Sequence, residues 1–302
     1  MKHNFKNILS IFKSAYKAWN EKDPFRQSAI IAYYAIFGIP GLLVLIIAIA
    51  GYFFGEAAVN QNLMSQISDT IGSETAAQIQ EILSKSTAEK STAWGSIVGI
   101  SVLLLGATGV FVELQTTLNL IWSVKVKPQN GFLRILKARL FSFGLILAIA
   151  FLLTISLVIS TALVAVSNFI NFESSHFVMT IYGILNFIIS LLVISALFAM
   201  IFKILPDAKI EWKHVWLGSL VTGMLFTIGK MALAYYFGKA EPASIYGAAG
   251  SIILILLWVS YSSMILFFGA EFTAAYAKMY SGNIAPTDIA KVEVPSATEK
   301  TM

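Results

Sequence analysis

Two ionisable side chains stand inside otherwise charge-free apolar runs of this sequence, the carboxyl of Glu113 and the ammonium of Lys230. A charge near the centre of a bilayer costs a few kcal/mol or more, so such a group persists where it binds an ion, relays a proton or lines a polar path. Glu113 belongs to a series of Gly95, Gly99, Gly106, Gly109, Glu113 and Thr117, whose steps of three, four or seven residues form one helix face suited to close contact with a neighbour. That face turns the glutamate toward protein. Gln115 and Asn119, four residues apart, add a second polar face at the same end of the helix. Lys230 shares its face with Gly223, Thr227 and Ala234. A plainer reading stands beside each charge. By helix rise Glu113 is only about 13 Å from Trp122, within reach of solvation from the inner side, and Lys230 lies within a couple of turns of Gly238 and Lys239, where its ammonium reaches headgroups. Their depths differ by about 9 Å, so a water-filled cavity between them is easier to build than a direct salt bridge.

Other chemistries find few residues. Without cysteine there is no thiolate nucleophile, disulfide or Cys-based metal site, and His3, His176 and His214 are dispersed with no ligand spacing to nearby carboxylates. The run from Gly223 to Lys230 loosely follows a phosphate loop, but it has one residue too many between its glycines and Met231 where serine or threonine should follow. No serine sits in a nucleophile-elbow sequence. The reading is not an enzyme, with no cofactor and no metal. Gly38, Pro40 and Gly41 break helical regularity, either as an ordinary kink or where freed backbone groups line a path.

The elements that must hold these residues are membrane spans. Only 12% of the residues are charged and 57% are hydrophobic, with a mean hydropathy of +0.77, whereas a soluble domain carries about a quarter charged residues. Charge-free windows predict six helical spans, at about residues 28–55, 93–122, 141–167, 177–202, 215–237 and 246–270, each long enough to cross about 30 Å of hydrocarbon. The expected fold class is all-α, a polytopic integral membrane protein with one six-helix membrane domain over residues 27–278.

Orientation follows from the positive residues, which stay on the cytoplasmic side. Six lysines and arginines precede the first span, five follow the second, three follow the fourth and three lie in the C-terminal tail; the other side holds Lys85, Lys90 and Lys239. Both termini are therefore expected in the cytoplasm. The first apolar run begins too late and is too long for a signal peptide, so it is expected to stay in the mature protein. In the segment 1–26, Phe5, Ile8, Leu9, Phe12, Tyr16 and Trp19 share a face among lysines, which predicts an interfacial amphipathic helix over residues 4–20; an arm against a partner helix is the alternative. Residues 56–92 predict two short helices on the extracytoplasmic side, and residues 279–302 a disordered cytoplasmic tail. The net charge of +5 sits in these loops, with no basic, aromatic-bearing surface domain, so nucleic acid is excluded as a partner. The expected partners are membrane lipids and a small-molecule or lipid substrate. Six spans also divide into two groups of three entering from opposite sides, as in inverted-repeat transporters, which pairs the second span with the fifth.

Several ordered pieces then resemble a known family. Thr116-Thr117-Leu118-Asn119-Leu120-Ile121-Trp122, Ile204-Leu205-Pro206, Ile245-Tyr246-Gly247, Leu257-Trp258-Val259 with Gly269-Ala270-Glu271, and Ala32-Tyr33-Tyr34 with Pro40 look like hallmarks of the YihY/virulence factor BrkB family. Tyr261 departs from the family pattern, which often has an aromatic nearer the tryptophan. The resemblance covers about residues 10 to 280 and implies a six-span protein of the bacterial inner membrane. The family's former label, ribonuclease BN, finds no support in the residues above, and its members have been linked to virulence and suspected of transport. The expected function is a transporter or lipid-handling protein, with Glu113, Gln115, Asn119 and Lys230 along its path. Pro40, Tyr246 and Glu271 follow as motif residues, although Glu271 reads better as a solvated or structural carboxylate at the inner face. A membrane scaffold or assembly partner is the alternative, and a membrane nuclease the disfavoured one.

Overall fold

The structure, a computed structural model, describes residues 5–71, 73–88, 93–126, 176–240, 250–282, 284–287 and 290–292. It is built on long helices. Helix α1 (Phe5–Glu21) is followed by Asp23, the N-cap whose left-handed backbone (φ 53°) turns the chain into α2 (Pro24–Phe54), with Pro24 at a position where a missing N–H costs nothing. Helix α2 runs through Pro40 and stops at Gly55, where φ is +87° and the N–H reaches back to the Gly51 carbonyl at 2.8 Å. Helices α3 (Glu56–Ile71) and α4 (Ser73–Ala88) follow, and Leu43 of α2 packs with Ile79 and Leu83 of α4. Next come α5 (Ala93–Ile121), α6 (His176–Ile204), α7 (Trp212–Ala240) and α8 (Gly250–Ser281). Among the described residues three stretches are long and apolar enough to cross a membrane: Gly183–Ile204, Trp212–Phe237 and Ile252–Ser281. The expected third span at 141–167 and the motif residue Tyr246 lie outside the described residues.

Glycines set the closest helix contacts. A Cβ on Gly106 would lie 2.7 Å from backbone atoms of Phe37 and Gly38, and one on Gly109 would strike the Tyr34 ring, so this part of the predicted α5 face does meet a neighbour, α2. Helices α7 and α8 interlock reciprocally. A methyl on Gly218 would collide with the Thr273 hydroxyl and one on Gly269 with that of Thr222. Each threonine is held in place by a 2.7 Å bond to the carbonyl of the glycine four residues earlier on its own helix.

One end of the bundle gathers most of the large buried side chains, including Leu118, Ile121, Trp122, Phe202, Ile210, Val215 and Phe267. Short strands close this end. β1 (Val124–Val126), directly after α5, pairs antiparallel with β4 (Ala290–Val292), and β2 (Ala208–Lys209), between α6 and α7, pairs with β3 (Ala285–Pro286). The expectation of a disordered tail from residue 279 is thereby corrected as far as Val292, and the fold is helical with two small sheets, not purely α. Thr287 anchors the tail by donating its N–H (2.9 Å) and its hydroxyl (3.1 Å) to the Asp207 carbonyl, and Ala290 is buried in the core. Three-residue strands held by such tertiary bonds leave no periodic trace in a sequence.

Helix α1 also differs from expectation in its faces. Its docking seam is Ile11 and Ala15, with the Phe12 ring in tilted contact with Phe272 (4.8 Å between ring centroids) and Trp19 donating its indole N–H to the Met264 carbonyl at 3.1 Å, all against α8. Leu9 and Tyr16, expected on that same face, stay exposed beside Lys13 and Lys17.

Candidate functional site

The strand-bearing end carries two polar clusters. Asn119, on the last turn of α5, is buried and exchanges two bonds with Asp207 in the turn after α6. Its amide donates to the Asp207 carboxylate at 2.9 Å, and its carbonyl oxygen accepts the Asp207 backbone N–H at 2.8 Å. Gln115, one turn earlier and half-buried, donates to the same carboxylate oxygen at 3.3 Å. Asp207 is itself 8% exposed, so these amides supply the hydrogen bonds that a carboxylate removed from water requires. Because Thr287 holds the Asp207 carbonyl, a single residue ties α5, the α6–α7 turn and the tail together.

The second cluster joins α1, α2, α5 and α8. Glu271, 4% exposed, forms a 2.7 Å ion pair with Lys22, and the same ammonium donates to the Ile121 carbonyl at 3.3 Å. Ile121 ends α5, where unpaired carbonyls give a partial negative charge that a cation stabilises. Buried and ion-paired, Glu271 is not a solvated carboxylate. Burial also explains why α8 continues to Ser281, past the charge at which the sixth span was expected to stop. A small cleft of about 10 Å³, partly open to solvent, lies beside the pair, lined among others by Trp19, Gln27, Thr117 and Phe267.

Glu113 and Lys230 are not brought together. They sit on α5, which packs on α2 and α8, and on α7, which packs on α6 and α8. Both are half-buried and neither has a hydrogen-bond or ion-pair partner among the described residues. Thus the four path candidates divide, with Gln115 and Asn119 engaged by Asp207, and Glu113 and Lys230 left over. His214 serves packing, its Nε2 lying 3.1 Å from the Ser281 hydroxyl and its ring edge-on to Tyr276. Among the described residues no three His, Cys, Asp or Glu side chains gather as metal ligands would.

Asp207 and Lys22 were not legible as site residues. Charged positions mark span ends in a sequence, so both read as loop charges; the one available signal was that Asp207 directly follows the Ile204-Leu205-Pro206 motif.

No solved structure matches the chain. Similar curated proteins are named UPF0761 membrane proteins. A UPF0761 membrane protein of Saccharophagus degradans is 24% identical over 270 residues, which cover 88% of this chain and 59% of the relative. One from Vibrio vulnificus is 26% identical over 81% of this chain and 75% of its own length, and one from Mannheimia succiniciproducens is 24% identical over 89% and 90%. The chain thus spans about six-tenths of the length of the first of them. The profile of the family described as Virulence factor BrkB matches residues 15–291, nearly the whole of the described fold. With that match and these relatives, the chain belongs to the virulence factor BrkB family of membrane proteins.

Proposed function

We propose that this chain is a transporter or lipid-handling protein of the bacterial inner membrane, with six spans, both termini cytoplasmic and no enzymatic activity. The observation that carries the reading is Glu113. It is a half-buried carboxyl on a long helix, within the face whose glycines touch α2, and it has no partner among the described residues. A carboxyl there without a partner is costly unless an ion, a proton or a polar substrate visits it. Lys230 on α7 repeats the pattern. Gln115 and Asn119, bonded to Asp207, belong to the end that closes the path. The positive residues of the N-terminal segment, the loop after the second span, the loop after the fourth and the tail mark the cytoplasmic side, and those segments flank the strand-bearing end.

The experiment exploits the absence of native cysteine. Single cysteines beside Glu113 and Lys230 in native membranes are treated with a membrane-impermeant thiol reagent applied from either side. The transport reading expects labelling at depths lipid should shield. Protection at every position favours the second reading, a scaffold, which draws on the consumption of Asn119, Asp207, Lys22 and Glu271 in bonds that hold helices together.

A further inference from the structure

The small cleft beside the Lys22–Glu271 pair has a largely apolar wall, with Trp19, Leu120 and Phe267, into which a few polar residues are set. Gln27 gives its amide nitrogen to the Lys22 carbonyl at 3.0 Å, which leaves its Oε1 buried with no partner. The Thr117 hydroxyl is also buried and unpartnered, although Thr116, Thr222, Thr227 and Thr273 each bond the carbonyl four residues back. Gln27 is 7% and Thr117 4% exposed, and both line the cleft with Glu271 and Ile121. An orphaned buried polar atom is costly, so two such atoms on residues lining one small cleft call for a common ligand.

The set comprises a carboxylate, a helix-terminal carbonyl, an amide oxygen and a hydroxyl. Hard oxygens of this kind, with a helix C-terminus among them, coordinate alkali cations in membrane proteins. The structure already shows a cation on two of the four, since the Lys22 ammonium contacts both Glu271 and the Ile121 carbonyl. We propose that the cleft is a monovalent-cation site, fitted to Na+, in which Lys22 is a tethered occupant that the free ion displaces. A single carboxylate suits a single positive charge, and the exchange keeps the site neutral if the lysine leaves. Lys22 can leave, because it sits at the α1–α2 turn with its side chain 27% exposed. Its departure unties that turn from α5 and α8, which couples ion occupancy to the closed end of the bundle. The inference stands whether or not the chain transports.

The test is radiolabelled Na+ binding to the purified full chain in choline-balanced buffer, read beside the thermal midpoint in sodium and in choline. Wild type is expected to bind saturably. Lys22→Met binds about tenfold more tightly or better, because its built-in competitor is gone, and its midpoint rises with sodium but not with choline. Thr117→Val weakens binding about tenfold, and Glu271→Gln abolishes it. If Lys22→Met does not fold, the comparison of wild type with Thr117→Val decides. Displacement of the label by Li+ and not by choline supports the site. Absence of saturable binding, binding that survives Glu271→Gln, or equal displacement by K+ and choline overturns it.

Discussion

Changing Asn119 to alanine removes two of the three hydrogen bonds that α5 makes to Asp207 in the α6–α7 turn. The amide that donates to the Asp207 carboxylate at 2.9 Å goes, and so does the oxygen that accepts the Asp207 backbone N–H at 2.8 Å. A hydrogen bond to a charged acceptor is worth about 1.5–3 kcal/mol, and a buried backbone N–H left without a partner costs about 1–3 kcal/mol. With both residues more than nine-tenths buried, water cannot readily take the missing places, and the expected loss is about 3–5 kcal/mol. Asp207→Asn keeps an oxygen facing Asn119 and its own backbone N–H, so it loses mainly charge assistance, about 1 kcal/mol. Gln115→Ala, at a half-buried position with a 3.3 Å bond, should cost less than about 1 kcal/mol. The assay is equilibrium unfolding of the purified protein in mixed detergent micelles, followed by circular dichroism, with the Asn119→Ala/Asp207→Ala double mutant closing a cycle. The reasoning requires the order Asn119 far above Asp207→Asn, then Gln115, together with a coupling energy above about 1 kcal/mol. Equal losses at Asn119 and Gln115, or additive alanine mutants, would refute it.

Further outcomes follow from other contacts. Gly269→Ala drives a methyl into the Thr222 hydroxyl and should destabilise by about 1–3 kcal/mol, and Thr222→Ala in the same chain should restore part of that loss in the same unfolding assay. Lys125 and Lys291 stand directly opposite in the β1–β4 pair, so Lys125→Cys with Lys291→Cys should form a disulfide readily under mild oxidation, seen as a gel shift. A pair moved two residues along one strand should form it poorly. Glu113→Gln should abolish proton-coupled transport while the protein stays folded, and unchanged transport with an unchanged pH profile would count against the path. The hydrogen bond and charge of Lys213 hold the Glu211 carboxyl below its ordinary range, so any stability from this pair is present above that range and lost as pH falls. Since the pair is exposed, Glu211→Gln should leave unfolding unchanged at neutral pH.

What could be read in advance separates along physical lines. Helices α2, α5, α6 and α7 are legible because desolvation forbids charge across a long apolar run, and their described limits fall near the charged or polar residues bounding each window. The same rule misplaces the end of α8, since it treats every carboxylate as solvated and Glu271 is neutralised by Lys22, 249 residues earlier. Gly106 and Gly109 could be foreseen at a helix contact from spacing alone. The bond between Asn119 and Asp207 joins positions 88 residues apart, and nothing local in either segment specifies the other. Sequence periodicity reports which side of an element is apolar; it does not report what that side will touch. For that reason α1 was expected to have one apolar face and has two, one against α8 and one uncovered.

The pairing of β1 with β4 also sets an order in time. Val124 leaves the ribosome long before Val292, its partner, and helices α6, α7 and α8 are synthesised in the interval. Insertion of the helices and closure of the strand-bearing end are therefore separate events, the second of which cannot be complete until translation has passed residue 292. Contacts so distant along the chain form late and slowly. During that delay the end of α5 and the α6–α7 turn lack their covering strands, which makes the nascent protein most vulnerable to proteases and to mispairing at this end of the bundle.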